Sequence, residues 1–373
     1  MAVRITPVTG KRDLKRFIYL PEKLHQNDAL WLPPIYKDEW EYFDPGKNLA
    51  FRYCDSTAAL AWRDDRPVGR VLGIVNNRHN EHTKESTARF ALLESTDDQE
   101  VAHGLLSHVE EWARAKGMTR IIGPFGFTDQ DAEGFLIEGF EQRPTIVTYY
   151  NFPYIPRLVE AEGYVKEVDK VVYKVPRPKD VPELMAKLSE RAERRGYREV
   201  GLRSIREAKR YIRPVLGLMN EAYVGVYGYS ALDDEEMHQL ANKYLAFLDP
   251  RFLRVAVKDE QVVGFMIAMP DLWEGIVKSR GRLFPFGFIH ILLALKRRKI
   301  PQMNLLLAGI KEEHRGKGLD MLMGREMLKA SIAVGVEFYD SHLELETNTL
   351  VRAEMERQGG VVYKKYRIYQ KNL

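Results

Sequence analysis

A single cysteine, Cys54, occurs in 373 residues, so no intrachain disulfide can form and a reducing compartment is the natural setting. Its neighbours Phe51, Arg52 and Tyr53 give it an aromatic context that suits packing rather than nucleophilic chemistry. No apolar run approaches the roughly 20 residues of a membrane-spanning helix, and the opening MAVRITPVTGKRDLKRF lacks an apolar signal core. We therefore expect a cytoplasmic protein. There is no polybasic tail, and a formal charge of +4 with a pI near 8.8 suits anionic ligands without requiring nucleic acid. His79 and His82 lie close in sequence without a cysteine or paired third ligand, so no metal site is expected.

With 45% apolar and 29% charged residues, the chain has material for a soluble fold, and its length fits two domains. Strand and helix signals recur in one order in both halves: strand, helix, hairpin, strand, long helix, strand, late helix, closing strands. Predicted hairpins span residues 57–76 in the first half and 252–269 in the second, each with a charged turn. This reads as a diverged internal duplication. We expect a first lobe over residues 1–176, a linker helix over 177–198 opened by Pro176-Arg177-Pro178, and a second lobe over 199–373. The expected class is α/β, with α+β-like mixed sheets.

The most informative stretch is Asn304 to Leu328. An apolar run through Ile310 predicts a strand, Lys311 to His314 a charged turn, and Arg315-Gly316-Lys317-Gly318 the start of a helix. Glycines there let the N–H groups of Gly316, Lys317, Gly318 and Leu319 converge at a helix N-terminus beside two cations, which makes an anion cradle. The spacing is neither a nucleotide P-loop nor a dinucleotide fingerprint. The corresponding turn of the first half, Ser95 to Glu100, is acidic and glycine-free, so only the second is expected to hold an anion. Asp129, Asp131, Glu133 and Glu138 lie among glycines and aromatics just after a central strand; they are candidates to bind an amine or act as a base, with a solvated acidic loop as the alternative. An insertion over residues 271–301 contains the apolar Leu283 to Leu295 followed by Lys296-Arg297-Arg298-Lys299. We expect a buried helix with a solvated basic end; a helix lying on an anionic bilayer, or lining an acyl-chain channel, remains open.

Strand, then Arg-x-x-Gly-x-Gly/Ala, then helix, carried here by Arg315, Gly318 and Asp320 at the sixth position, resembles the pyrophosphate loop of the GNAT acyltransferase superfamily. The order that follows, SHLELE, Asn348, a short helix, Gly359-Gly360 and VVYKKYRIY, is similar to the remainder of that fold. The whole chain resembles a bacterial group of tandem GNAT-like proteins, the YghO-like group. The resemblance implies two tandem GNAT-like lobes and an N-acyltransferase that moves an acyl group from acetyl-CoA or a longer acyl-CoA to a small-molecule or lipid amine. It implies pantetheine contacts along the strand at Ala308 and Ile310, pyrophosphate contacts from Arg315, Gly316, Lys317, Gly318 and Leu319, and a cofactor-side role for Asn348. A base for the amine must then come from Glu346, or from Asp131 or Glu133 of the other lobe.

Two positions depart from the pattern. Asp320 puts a carboxylate where the family has glycine or alanine, and Met355 stands where many members carry a tyrosine that protonates the leaving thiolate. A non-catalytic acyl-CoA-binding regulatory protein therefore remains open, as does a lipid-modifying enzyme touching the membrane through residues 283–299. The closing strand, Val361 to Tyr369, suits pairing with another copy or with the other lobe.

Overall fold

The computed structural model describes residues 2–146, 148–245, 248–297 and 299–373. Arg298 of the basic run lies outside them. The first half contributes β1 (Arg4–Pro7), β2 (Cys54–Arg63), β3 (Arg66–Asn76), β4 (Thr87–Ser95), β5 (Arg120–Gly123), β6 (Phe135–Glu138) and β7 (Val165–Pro176). The second contributes β8 (Arg198–Gly201), β9 (Leu253–Lys258), β10 (Gln261–Pro270), β11 (Gln302–Ile310), β12 (Phe338–Asp340), β13 (Glu344–Leu345) and β14 (Val361–Asn372). Both hairpins use one device. Asp64-Asp65 turns β2 into β3 and Asp259-Glu260 turns β9 into β10, all four with positive φ, the two-residue turn whose twist suits paired strands.

The strands form one mixed sheet in the order β1-β2-β3-β4-β5-β14-β7-β12-β11-β10-β9-β8, with β6 on β14 and β13 on β7. Each half has one parallel pair: β4 with β5 from Thr87↔Arg120 to Arg89↔Ile122, and β11 with β12 from Gln302↔Phe338 to Asn304↔Asp340. The closing strands are exchanged. β14, from the end of the chain, pairs with β5 of the first half; β7 pairs with β12 of the second; and β7 and β14 pair with each other. The late strand therefore finds its partners within the chain, and each half completes the sheet of the other.

Helices cover the sheet through apolar stripes. Gln99–Ala115 buries Val101, Leu105, Val109 and Ala113 against the first half, and Leu319–Ala333 buries Leu319, Leu322, Met323 and Met327 against the second. Glu183–Arg194, within the expected linker, packs along Leu319–Ala333: Ser189 Oγ donates to the Met321 carbonyl at 3.0 Å, and Arg325 pairs with Glu193 at 2.6 Å.

The insertion differs from expectation. It is a pair of helices, Trp273–Ser279 and Gly287–Leu295, but the second buries only Ile291 and Ala294. Phe288, Ile289, Leu292 and Leu293 are exposed. One narrow face suffices to hold a helix of 9 residues against Leu272 and Ile276, so the other apolar side chains find no protein to cover them. Among the described residues no helix is long and apolar enough to cross a membrane.

Candidate active site

Pairing of β11 with β12 stops at Asn304 and Asp340. From Leu305 to Ile310, β11 continues along β10 only, so its other edge is released. Opposite, His342 adopts a left-handed φ of 62°, uncommon outside glycine, before β13 forms on β7. The strands thus splay, and a cavity of about 640 Å³ opens between Leu305, Leu307 and Ala308 on one wall and Ser341, His342 and Glu344 on the other. Its lining continues over Ile212, Leu216, Val255 and Phe265 into the aliphatic core of the second half, and includes Asp129, Asp131 and Glu133 of the first.

The adjoining turn is built from two left-handed glycines, Gly316 (φ 69°) and Gly318 (φ 87°). Gly318 starts the helix Leu319–Ala333, and no side chain caps that end. A Cβ at Gly318 would also come within 3.0 Å of the Leu188 carbonyl oxygen. The first-turn N–H groups are therefore left for an external acceptor, with the dipole's positive end beside them. Arg315 Nε donates to the Ile310 carbonyl at 3.3 Å, and among the described residues neither Arg315 nor Lys317 forms an ion pair. These features fit a pyrophosphate. Asp320, in the same first turn, lines the cavity and adds a carboxylate to this anion-seeking end.

Charge on the cavity wall is concentrated. Lys170 pairs with Glu133, both side chains buried, and the second Glu133 oxygen has no partner among the described residues. Burial pushes Glu344 up to about 7, with the Lys170 ammonium opposing. Burial and then the Glu133 carboxylate push Asp129 up to about 6. Burial holds His342 down to about 4, so it is neutral at physiological pH. Tyr223 is pushed up to about 12, chiefly by burial, and its O–H donates to the Ala308 carbonyl at 3.2 Å, on the released edge.

The acidic loop reaches this place because the first half grips it. Buried Arg89 donates from Nη1 to the carbonyls of Gly126 at 3.1 Å and Phe127 at 3.0 Å, and Asn76 Nδ2 donates to Phe127 at 3.0 Å. Asp131 accepts from the Tyr42 hydroxyl at 3.2 Å and the Thr128 N–H at 3.3 Å. Asn348 lines the cavity while its Oδ1 accepts from the Val351 N–H at 3.3 Å, and Met355 lines it too. Ala308, Asn348, Asp131 and Glu133 thus share one cavity, and the Arg315–Leu319 turn adjoins it through Asp320.

Glu346, one of the three candidate bases, lies outside the cavity lining. It is held by Lys166 at 2.6 Å and accepts from the Asp169 N–H at 3.2 Å, away from the cavity lining. Glu138 pairs with Lys365 at the surface, 2.6 Å away. Burial pushes the Cys54 thiol up to about 12, which leaves it unreactive. Glu344, Tyr223 and Lys170 of the cavity wall lie outside the candidate residues that the sequence offers. Only the first carried a signal, its place two residues before Glu346 in SHLELE. Among the described residues no group of three or more His, Cys, Asp or Glu side chains is arranged to hold a metal ion.

Compared with known proteins, the chain is 28% identical to the bacterial ceramide synthase of Caulobacter vibrioides, over 99% of this chain and 97% of that one. It is 25% identical to protein YghO of Escherichia coli, over 98% and 94% respectively. The structure matches a tandem GNAT protein from the clavulanic acid biosynthesis pathway with a TM-score of 0.55, over 99% of this chain and 98% of that one, at 14% identity. The fold is that of the tandem GNAT proteins. No family model matches the sequence. In this tandem GNAT fold the splayed pair β11 and β12, the uncapped glycine turn and the cavity all belong to the second lobe, while the first lobe contributes the acidic wall.

Proposed function

We propose that this protein of tandem GNAT fold transfers a fatty acyl group from acyl-CoA to the amine of a long-chain lipid. The observation that carries the reading is the cavity itself, where a carboxylate cluster meets an aliphatic lining in about 640 Å³, within the roughly 300–1,000 Å³ of small-molecule sites. Each methylene seated on that lining contributes about 0.8 kcal/mol. The bacterial ceramide synthase, a relative over nearly the full length, supports a lipid amine as acceptor.

In this reading the pantetheine arm lies along the released edge of β11 at Ala308 and Ile310, and the pyrophosphate sits on the N–H groups from Gly316 to Leu319 with Arg315 and Lys317. Asp129 and Glu133 attract the substrate ammonium. Glu344, ionised in about half of the molecules near pH 7, removes its proton. The free amine attacks the thioester carbonyl and a C–N bond forms. A backbone N–H near Ile310 steadies the oxyanion. The C–S bond then breaks, and the thiolate takes a proton from Tyr223, which is fully protonated at neutral pH and stands in for the missing tyrosine at Met355. The second amine proton leaves to Tyr223, which restores the hydroxyl.

The test is product analysis by mass spectrometry, with acetyl-CoA or palmitoyl-CoA as donor and a long-chain amino alcohol or a short amine as acceptor. Amide formation is expected to be fastest with the long donor and the long acceptor. Saturable acyl-CoA binding with no amide from any acceptor would replace this reading with the non-catalytic one, in which Asp320 and Met355 mark lost chemistry.

A further inference from the structure

The helical pair between β10 and β11 combines two features found together nowhere else among the described residues. Every exposed phenylalanine among them, Phe284, Phe286 and Phe288, lies here, with Ile289, Leu292 and Leu293 beside them; Phe284 and Phe286 are 74% and 71% exposed. The segment from Lys278 to Lys299 also contains seven basic residues and no acidic one. Arg282, Arg297 and Lys299 are engaged by Glu22, Glu274 and Glu337. Lys278, Arg280 and Lys296 are exposed and form no ion pair among the described residues.

We infer that this face docks on an anionic lipid bilayer, its phenylalanines and leucines entering the acyl boundary and its free cations meeting lipid headgroups. Charge decides the occupant. A symmetric contact with a second copy would set this cationic segment against itself, which like-charge repulsion opposes. A surface of anionic headgroups satisfies both the apolar crest and its basic rim. The face is also held outward by its base: Arg282 forks onto Glu22 at 2.9 and 2.8 Å, and the Tyr36 N–H donates to the Gly281 carbonyl at 3.0 Å. Gly281 has a positive φ of 68°, and any side chain there would strike the Pro34 carbonyl.

The docking face lies close to the cavity. Leu306 packs against the hairpin core of Leu272, Ile276 and Ile291 and also lines the cavity. Docking would therefore bring a bilayer within a side-chain layer or so of the acceptor site. The docking itself stands on the surface alone; only its use, delivery of a lipid amine, rests on the acyltransferase reading.

The experiment is sedimentation of the purified full chain with vesicles, without acyl-CoA or amine. Phosphatidylcholine vesicles are compared with the same vesicles containing phosphatidylglycerol. Wild type is expected to pellet with the anionic vesicles and to stay in solution with the neutral ones. Lys296→Gln should weaken partition about fivefold, and Phe286→Ser combined with Leu293→Ser about tenfold or more. Both positions are exposed, and an unchanged thermal melt confirms that the variants fold. Failure of wild type to pellet at low salt, equal pelleting with neutral vesicles, or undiminished binding by both variants overturns the proposal. So does a concentration-dependent dimer that the Phe286→Ser, Leu293→Ser variant abolishes, which would assign the face to a second copy. Since no substrate is present, a negative result here leaves amide formation in detergent to be judged separately.

Discussion

The two lobes carry the same parallel strand pair and differ in what fills the gap beyond it. In the first lobe, the Phe125 N–H donates to the Phe90 carbonyl at 2.9 Å and the Leu92 N–H donates to the Tyr149 hydroxyl at 3.1 Å, so the chain itself occupies the edge that β4 releases. The helix Gln99–Ala115 is capped by Asp98, which accepts from the Glu100 N–H at 3.0 Å, while Arg63 holds Asp98 at 2.6 Å. In the second lobe the corresponding edge lines a cavity and the corresponding helix has no side-chain cap. Function on a duplicated fold resides where backbone groups and volume are left unsatisfied. The lobe that satisfied its own became a wall, and it presents Asp129 and Glu133 to the open one.

The strongest break in this comparison is at Glu344. Glu344→Gln should lower the rate of amide formation by roughly 10²- to 10⁴-fold with little change in acyl-CoA affinity, whereas Glu346→Gln, at a carboxylate held by Lys166 and the Asp169 N–H, should leave the rate within a few-fold. The base acts as its anion, and its value lies at about 7. The rate should therefore climb about tenfold per pH unit below 7 and level off above it, and the Gln variant should lose that limb. An unchanged pH profile in Glu344→Gln would transfer the role to Asp129.

A second break concerns the closed lobe. Phe90 is fully buried against Phe135 and Tyr164 where the first-lobe gap is filled. Phe90→Ala should lower unfolding free energy by about 3–5 kcal/mol in denaturant titration. Acyl-CoA stoichiometry should remain one per chain. A second binding event in the variant would mean that the filled gap is a latent site.

Next is the cradle. Arg315→Glu should weaken acyl-CoA binding by about tenfold or more in calorimetric titration, since it replaces a cation beside the proposed pyrophosphate seat with an anion. Arg157→Glu, near the first lobe's capped turn, should leave affinity unchanged. Equal losses from the two would show that net charge, not the open turn, governs binding.

Local chemistry was legible in the sequence where it is local in space. The acidic hairpin turns, the glycine turn after β11 and the repeated element order all report their own backbone needs. For the closing strand the sequence leaves two partners open, another copy or the other lobe, and the reciprocal exchange of β7 and β14 has no signal of its own, because pairing between strands so far apart in the chain leaves no mark on either. The different surroundings of Glu344 and Glu346 are hidden for a similar reason: alternation in SHLELE puts both on one face, but the left-handed His342 and the brevity of β13 break that regularity. Hydropathy predicts burial for the apolar run from Leu283 to Leu295, but it measures what a helix prefers, not whether the fold supplies a second wall. Tyr223 and Lys170 reach the cavity only through tertiary packing.

The smallest effect tests the finest point of the comparison, the Asp320 carboxylate in the first turn of Leu319–Ala333. In the free protein it complements the helix dipole, by about 0.3–1 kcal/mol. A bound pyrophosphate competes for the same end of the helix and meets the carboxylate as a like charge. Asp320→Ala should therefore lower the melting temperature slightly and tighten acyl-CoA binding about threefold to fivefold, with opposite signs because one anion gives way to another. The gain should shrink at high salt, where the repulsion it removes is already screened. Tighter binding without loss of stability would mean that the carboxylate points away from the helix end. Weaker binding would mean that Asp320 contacts the ligand, making the departure from glycine or alanine a feature of recognition.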